Sequence, residues 1–255
     1  MNVKDAFRAG LCLLFMRSIA FGGASIRIGT GALSSINCGS PAHLDNLGRY
    51  SIIFGISPRG VVDTNRVFVK GANLIASTSD FFLSGSFRIF IGRATTATDY
   101  FSAQGIFAVG RQCVAAATVN IGGAANDQVH FFVGTSTYPM REILGSLVQD
   151  GVGALTSDAA DSWLFGNNSG VAAMGGDLSW LVISSGILSL AQMRNMQNDP
   201  FGMIGSTETL LALNFSDNSS TPTINDLSRY RNNCTCQGTF DSTVGAPIFA
   251  GGSGH

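Results

Sequence analysis

The chain has 255 residues, 45% of them hydrophobic and only 12% charged, with a formal net charge of −1. Scattered basic residues and near-neutrality exclude the electrostatic footprint of a nucleic-acid binder, and no apolar run reaches the roughly 18 residues of a membrane-spanning helix. Its lysines are Lys4 and Lys70 and its glutamates Glu142 and Glu208, so little is available to solvate exposed helices.

Near the start, Lys4 and Arg8 precede the apolar run GLCLLFM (10–16), which Arg17 ends without a small-residue cleavage site. Residues 1–17 are therefore read as an N-terminal arm and first strand rather than an export signal, with a weak helical turn at Asp5–Ala9. Alternating β-branched and aromatic runs then predict strands at Ser25–Ile28, Tyr50–Ile56, Arg66–Val69, Phe87–Ile91, Ile106–Val109 and Gln112–Val119. Further strands are expected at Gln128–Val133, Trp163–Phe165, Asp177–Ser184, Thr209–Phe215 and Pro247–Ala250. Turn clusters such as SPRG (57–60) and IGGAAND (121–127) separate them. One helix is expected over Ser189–Gln197, where Ser189 stands three residues before Gln192 in the capping-box arrangement. The strand spacing suits an all-β sandwich or jelly roll, expected as one domain over 18–250 followed by a flexible tail at 251–255.

Five cysteines, an odd number without a CxxC pair, are expected to be reduced thiols. Paired carboxylates at strand spacing, which a glycosidase needs, are missing. Glu142 and Glu208 are isolated, and Asp158 and Asp161 read as turn residues. His43 falls in a turn, His130 alternates with apolar strand residues, and no GxSxG elbow occurs. The chain is expected not to be an enzyme.

Several segments, in order, resemble the concanavalin A-like, laminin-G-like jelly roll. They are SIAFGGASIRIGTG (18–31), LDNLGRYSIIFGISPRG (44–60), VFVKGAN (67–73), GRQCVAAATVN (110–120) and VHFFVGT (129–135). The closing set is WLFGNNSG, GGDLSWLVISSGILSLAQM, LLALNFSDNSS and INDLSRYRNN. The chain departs from that family at Arg111–Cys113, where Trp and His are usual, before Gly134, where an Asp is missing, and at Ser179, where the family often carries an acid. The resemblance implies a two-sheet antiparallel jelly-roll sandwich with the helix capping one end. It also implies calcium as the one candidate cofactor, with Asp177, Asp217 and Asp226 as loop ligands. Sugar recognition on such folds uses an aromatic platform beside polar loop residues, and Trp163, Trp180, Tyr100 and Asn167 are the candidates. For both Trp residues, core packing is the competing reading.

The low surface charge implies burial in an assembly. The expected role is a structural and adhesive surface module, a decoration, tail or fibre component of a phage virion. It would assemble in the host cytoplasm with other virion subunits and form a homo-oligomer. The alternative is an extracellular carbohydrate-binding lectin module that binds glycans with calcium.

Overall fold

The computed structural model describes residues 25–28, 35–58, 65–71, 74–79, 85–102, 105–166, 176–215, 223–237 and 241–243. In chain order the strands are β1 (Ser25–Ile28), β2 (Ser35–Asn37), β3 (Arg49–Pro58), β4 (Asn65–Lys70), β5 (Leu74–Ser79) and β6 (Ser86–Ile91). There follow β7 (Thr98–Ser102), β8 (Cys113–Asn120), β9 (Val129–Gly134), β10 (Arg141–Ile143), β11 (Gly145–Gln149) and β12 (Trp163–Phe165). The last are β13 (Gly176–Ser185), helix α1 (Leu190–Asn198), β14 (Thr209–Asn214), β15 (Thr223–Ile224), β16 (Cys234–Gln237) and β17 (Asp241–Thr243).

They make an antiparallel sandwich of two sheets. The eight-stranded sheet runs β10-β9-β8-β3-β13-β1-β17, with β14 also on β13; the nine-stranded sheet runs β11-β7-β6-β5-β4-β12-β2-β16-β15. Strand alternation places one side chain in two in the space between them. Ile52, Phe54 and Ile56 of β3 point into that core and Ile53 points to the other face. Phe87 is the hub of the core aromatics. It meets Phe54 edge-on at 5.6 Å, Phe107 at 5.8 Å and Phe131 at 5.3 Å, distances at which aromatic pairs add to simple burial.

A second apolar layer lies on the outer face of the eight-stranded sheet. There Met193 and Met196 of α1 pack over Ile53, Val114, Ala116, Trp180 and Val182. The expected helix is present with its capping box: Gln192 N donates to Ser189 Oγ at 3.3 Å and Ser189 N to Gln192 Oε1 at 2.8 Å. Its place differs from the expectation, because it covers a sheet face rather than closing an end of the sandwich. The physical reason is that β3, β8 and β13 are apolar on both faces, so the second face needs a cover. The helix also fixes the β9–β10 hairpin. The buried Gln197 carboxamide accepts from Met140 N at 2.5 Å and donates to Thr135 O and Tyr138 O.

Ile106–Val109, expected as a strand, is a turn between Gly105 (φ 77°) and Gly110 (φ 76°), from which Phe107 plugs the core. The expected Pro247–Ala250 strand and Asp5–Ala9 turn lie outside the described residues. Cys38 and Cys234 form a disulfide between β2's end and β16, which corrects the expectation of reduced thiols throughout; Cys113 and Cys236 are free. Phe107 is core and Phe101 is half-buried.

His130 is a sheet histidine with two acidic partners, Asp127 at 2.9 Å and Glu142 at 2.7 Å. Burial alone lowers its pKa, but the hydrogen bond and charge of Glu142, with Asp127, raise it overall. A raised folded pKa means this stabilisation is complete below the unfolded pKa, about 6.5, and is lost as pH rises through the folded value. His130→Gln is expected to flatten the change of melting temperature between about pH 5 and pH 8, read by calorimetry. Cys38→Ser is expected to cost about 2–5 kcal/mol in chemical unfolding, since it opens a loop of 196 residues.

Candidate functional site

The lysine in VFVKG ends β4 pointing inward and is wholly buried. A buried ammonium must be paired and hydrogen-bonded. Lys70 Nζ reaches Leu44 O at 2.7 Å, Asp45 Oδ1 at 2.6 Å and Asp158 Oδ1 at 3.0 Å. Three stretches far apart in sequence therefore converge on one charge. Gly71 follows it at φ +56°, and a Cβ there would lie 2.0 Å from the Asp161 carboxylate, so the turn after the lysine requires glycine.

Around this joint the loops lock together. Asn46 N donates to Asp158 Oδ1 at 2.6 Å and Asp158 N to Asn46 Oδ1 at 3.1 Å. Asn46 itself sits at φ 50°, a conformation Asn tolerates better than most residues. Trp163 Nε1 donates to Leu44 O at 3.2 Å, and Trp163 exchanges backbone bonds with Cys38 and Gly39 beside the disulfide. A second segment, 151–156, runs as a ribbon against 92–96 through Ala94–Ala154 and Thr96–Val152 backbone bonds.

Between these loops a cleft of about 330 Å³ opens at this end of the sandwich, at the small end of the range for ligand sites. Leu47, Ile91, Ile121, Leu155 and Trp163 form its apolar walls, and Asn46, Tyr50, Thr156 and Asp158 are its polar residues. Tyr50 is 2% exposed, yet its hydroxyl has no hydrogen-bond partner. Burial, with the Asp158 charge adding to it, pushes the phenol far above its ordinary pKa, so it remains a proton donor. Among the described residues, the hydrogen bonds to the Asp158 carboxylate all go to Oδ1, which leaves Oδ2 as an acceptor.

Of the aromatic candidates read from sequence, only Trp163 reaches this cleft, as part of its wall at 1% exposure. Trp180 is 4% exposed under α1, where Gly55 makes room for its indole, and Tyr100 is 2% exposed with its hydroxyl donating to Ala125 O and Gln128 Oε1. Neither offers a stacking face, because each fills an apolar layer that a sheet this hydrophobic must close. Asn167 and Asp217 lie outside the described residues.

Asp226 is wholly buried and its carboxylate is saturated. It accepts from Ala212 N, Ser228 N, Ser228 Oγ and Asn232 N at 2.7–3.0 Å. The Asp-x-Ser-x-x-x-Asn pattern is thus a knot that fastens the 226–232 turn to β14, not an open calcium ligand. Asp177 is buried within β13, and no cluster of three or more His, Cys, Asp or Glu able to hold a metal occurs among the described residues. Sequence patterns alone do not mark Tyr50, Lys70 or Asp158 as site residues. The available signal was Lys70 itself, a scarce residue type inside an apolar strand.

No protein-family model and no curated protein sequence matches the chain. Solved structures do. A Bacteroides ovatus protein provisionally described as carbohydrate binding superposes at TM-score 0.60 with 15% identity, over 89% of this chain and 62% of that one. The likeness is one of fold: an antiparallel β-sandwich. The chain spans about three-fifths of that protein's length. Domain 4 of an extracellular arabinanase from Geobacillus stearothermophilus, solved with arabinotriose, is more distant, at TM-score 0.43 and 18% identity over 61% of this chain and 69% of that domain.

Lys70→Met is expected to strand Asp45 and Asp158 and cost about 3–5 kcal/mol in urea unfolding. The loss should be smaller in Lys70→Met combined with Asp45→Asn and Asp158→Asn, since no buried charge is then left unpaired.

Proposed function

We propose that this chain is a non-catalytic carbohydrate-binding module that takes a neutral sugar in the Tyr50–Asp158 cleft. The observation that carries the reading is the orphaned Tyr50 hydroxyl in a cleft that the Asp158 carboxylate also lines, inside apolar walls. A donor and an acceptor lining one cleft suit a hydroxyl group, which accepts from Tyr50 and donates to Asp158. Apolar walls suit the C–H faces of a pyranose or furanose ring. An anionic ligand would face Asp158 directly and is disfavoured.

The same geometry argues for binding rather than hydrolysis. A glycosidase needs two carboxyl groups flanking one bond. Here Asp158 lines the cleft and Asp45 does not, and both are tied to the Lys70 ammonium. The provisional description of the Bacteroides protein of like fold supports a glycan ligand, and on this reading the chain is assigned to the concanavalin A-like sandwiches. The Cys38–Cys234 disulfide favours an oxidising, extracellular setting. The phage-virion reading rests on composition alone, and the cleft and the disulfide favour the lectin alternative.

A glycan array of the purified chain is expected to give hits among neutral oligosaccharides, unchanged by a chelator because Tyr50 and Asp158 need no ion. Tyr50→Phe is expected to weaken the best hit about tenfold, the worth of one hydrogen bond of about 1.4 kcal/mol. The same variant should unfold no more easily than the parent, because it removes a buried hydroxyl that has no partner. Full binding by Tyr50→Phe would contradict the proposal.

A further inference from the structure

The two sheets are finished differently on their outer faces. That of the eight-stranded sheet is closed by α1, whereas on the nine-stranded sheet Arg66, Arg88, Phe90 and Phe101 remain part-exposed. The register puts Arg66 opposite Ser77 and Ser77 opposite Arg88, so both arginines lie in one row across three strands. Their backbones stand about 10 Å apart, within reach of two long side chains.

The two guanidinium groups are in unlike states. Arg88 is satisfied: Nε and Nη2 grip the Asp99 carboxylate at 2.9 and 2.6 Å, and Cζ lies 4.9 Å from the Phe101 ring centre and 5.7 Å from that of Phe90. Arg66 has no such partner. Its Nε is buried without a hydrogen bond, and no ion pair of Arg66 occurs among the described residues. Burial and the neighbouring Arg88 charge both lower its pKa, a sign of a cation short of an anion. Among the described residues, Arg66, Arg88 and Asp99 together carry one net positive charge.

We propose that Arg66 is the anchor of a second binding site, on the outer face of the nine-stranded sheet, for an acidic sugar bearing a carboxylate or sulfate. The planar guanidinium binds either group in bidentate fashion. Phe90, part-exposed on the same face, then offers apolar surface for the sugar ring, while Arg88, held by Asp99, adds long-range attraction. The site is separate from the cleft, whose carboxylate repels such ligands. The module would thus read two features of one polysaccharide, a neutral unit and an acidic one.

Isothermal titration with trigalacturonate, a sulfated disaccharide and their uncharged counterparts tests this. One or both acidic probes should bind the full chain, the uncharged ones should not bind at this site, and the response tells carboxylate from sulfate. Affinity should fall as salt rises from about 50 to about 200 mM. Arg66→Gln should weaken binding at least fivefold with an unchanged melting temperature, while Arg141→Gln, an exposed arginine on β10, and Tyr50→Phe should leave it intact. Arg66→Lys, which keeps the charge without the fork, should fall between. Failure of both acidic probes to bind, or equal binding by Arg66→Gln, would overturn the proposal. Neither result bears on neutral sugars in the cleft.

Discussion

One buried ammonium group organises the functional end of this sandwich. Lys70 lies at zero exposure and draws Leu44 O, Asp45 and Asp158 onto one nitrogen. Taking a charge out of water costs several kcal/mol, and Coulomb attraction in the interior returns that only with good geometry. Such a joint adds little net stability, but it fixes where the loops stand. The 44–46 and 156–158 segments are further zipped by the reciprocal Asn46–Asp158 bonds, and the Cys38–Cys234 disulfide holds the strand ends behind them. A cleft with walls held this way spends little of its binding energy on ordering loops.

Chemistry is divided between the sheets by how each is covered. The strands β3, β8 and β13 are apolar on both faces, so the eight-stranded sheet requires the methionine-rich face of α1 as a lid. That lid takes Trp180 out of contact with solvent. The nine-stranded sheet keeps charged and aromatic side chains on its outer face, with Arg88 clamped by Asp99 and Arg66 unclamped. On the proposed reading, recognition falls to the loop end and to one sheet face.

Much of the sandwich is legible in the sequence where periodicity is strong. The long apolar strands β3, β8 and β13 and the capped helix stand where their patterns place them, because burial on both faces and a capping box are local signals. Short strands such as β7 and β11 carry polar or small residues and are recognised only through their partners. The turn at 106–109 reads as a strand because its apolar residues serve the core from a loop, held by Gly85 O. The site was less legible. Aromatic residues proved to be core, since a β-rich interior consumes them. Asp226 is spent on backbone amides, and the disulfide joins cysteines too far apart in sequence for spacing to pair them. Tyr50 looks like any strand tyrosine until its hydroxyl is found without a partner.

The central claim, that the Tyr50–Asp158 cleft receives a sugar hydroxyl, is tested most directly by a crystal structure of the chain with the tightest neutral oligosaccharide from an array. The account predicts a sugar hydroxyl within about 3 Å of both Tyr50 Oη and the Asp158 carboxylate, with its ring against Leu47 and Trp163. A sugar bound elsewhere, with the Tyr50 hydroxyl still lacking a ligand contact, would contradict it.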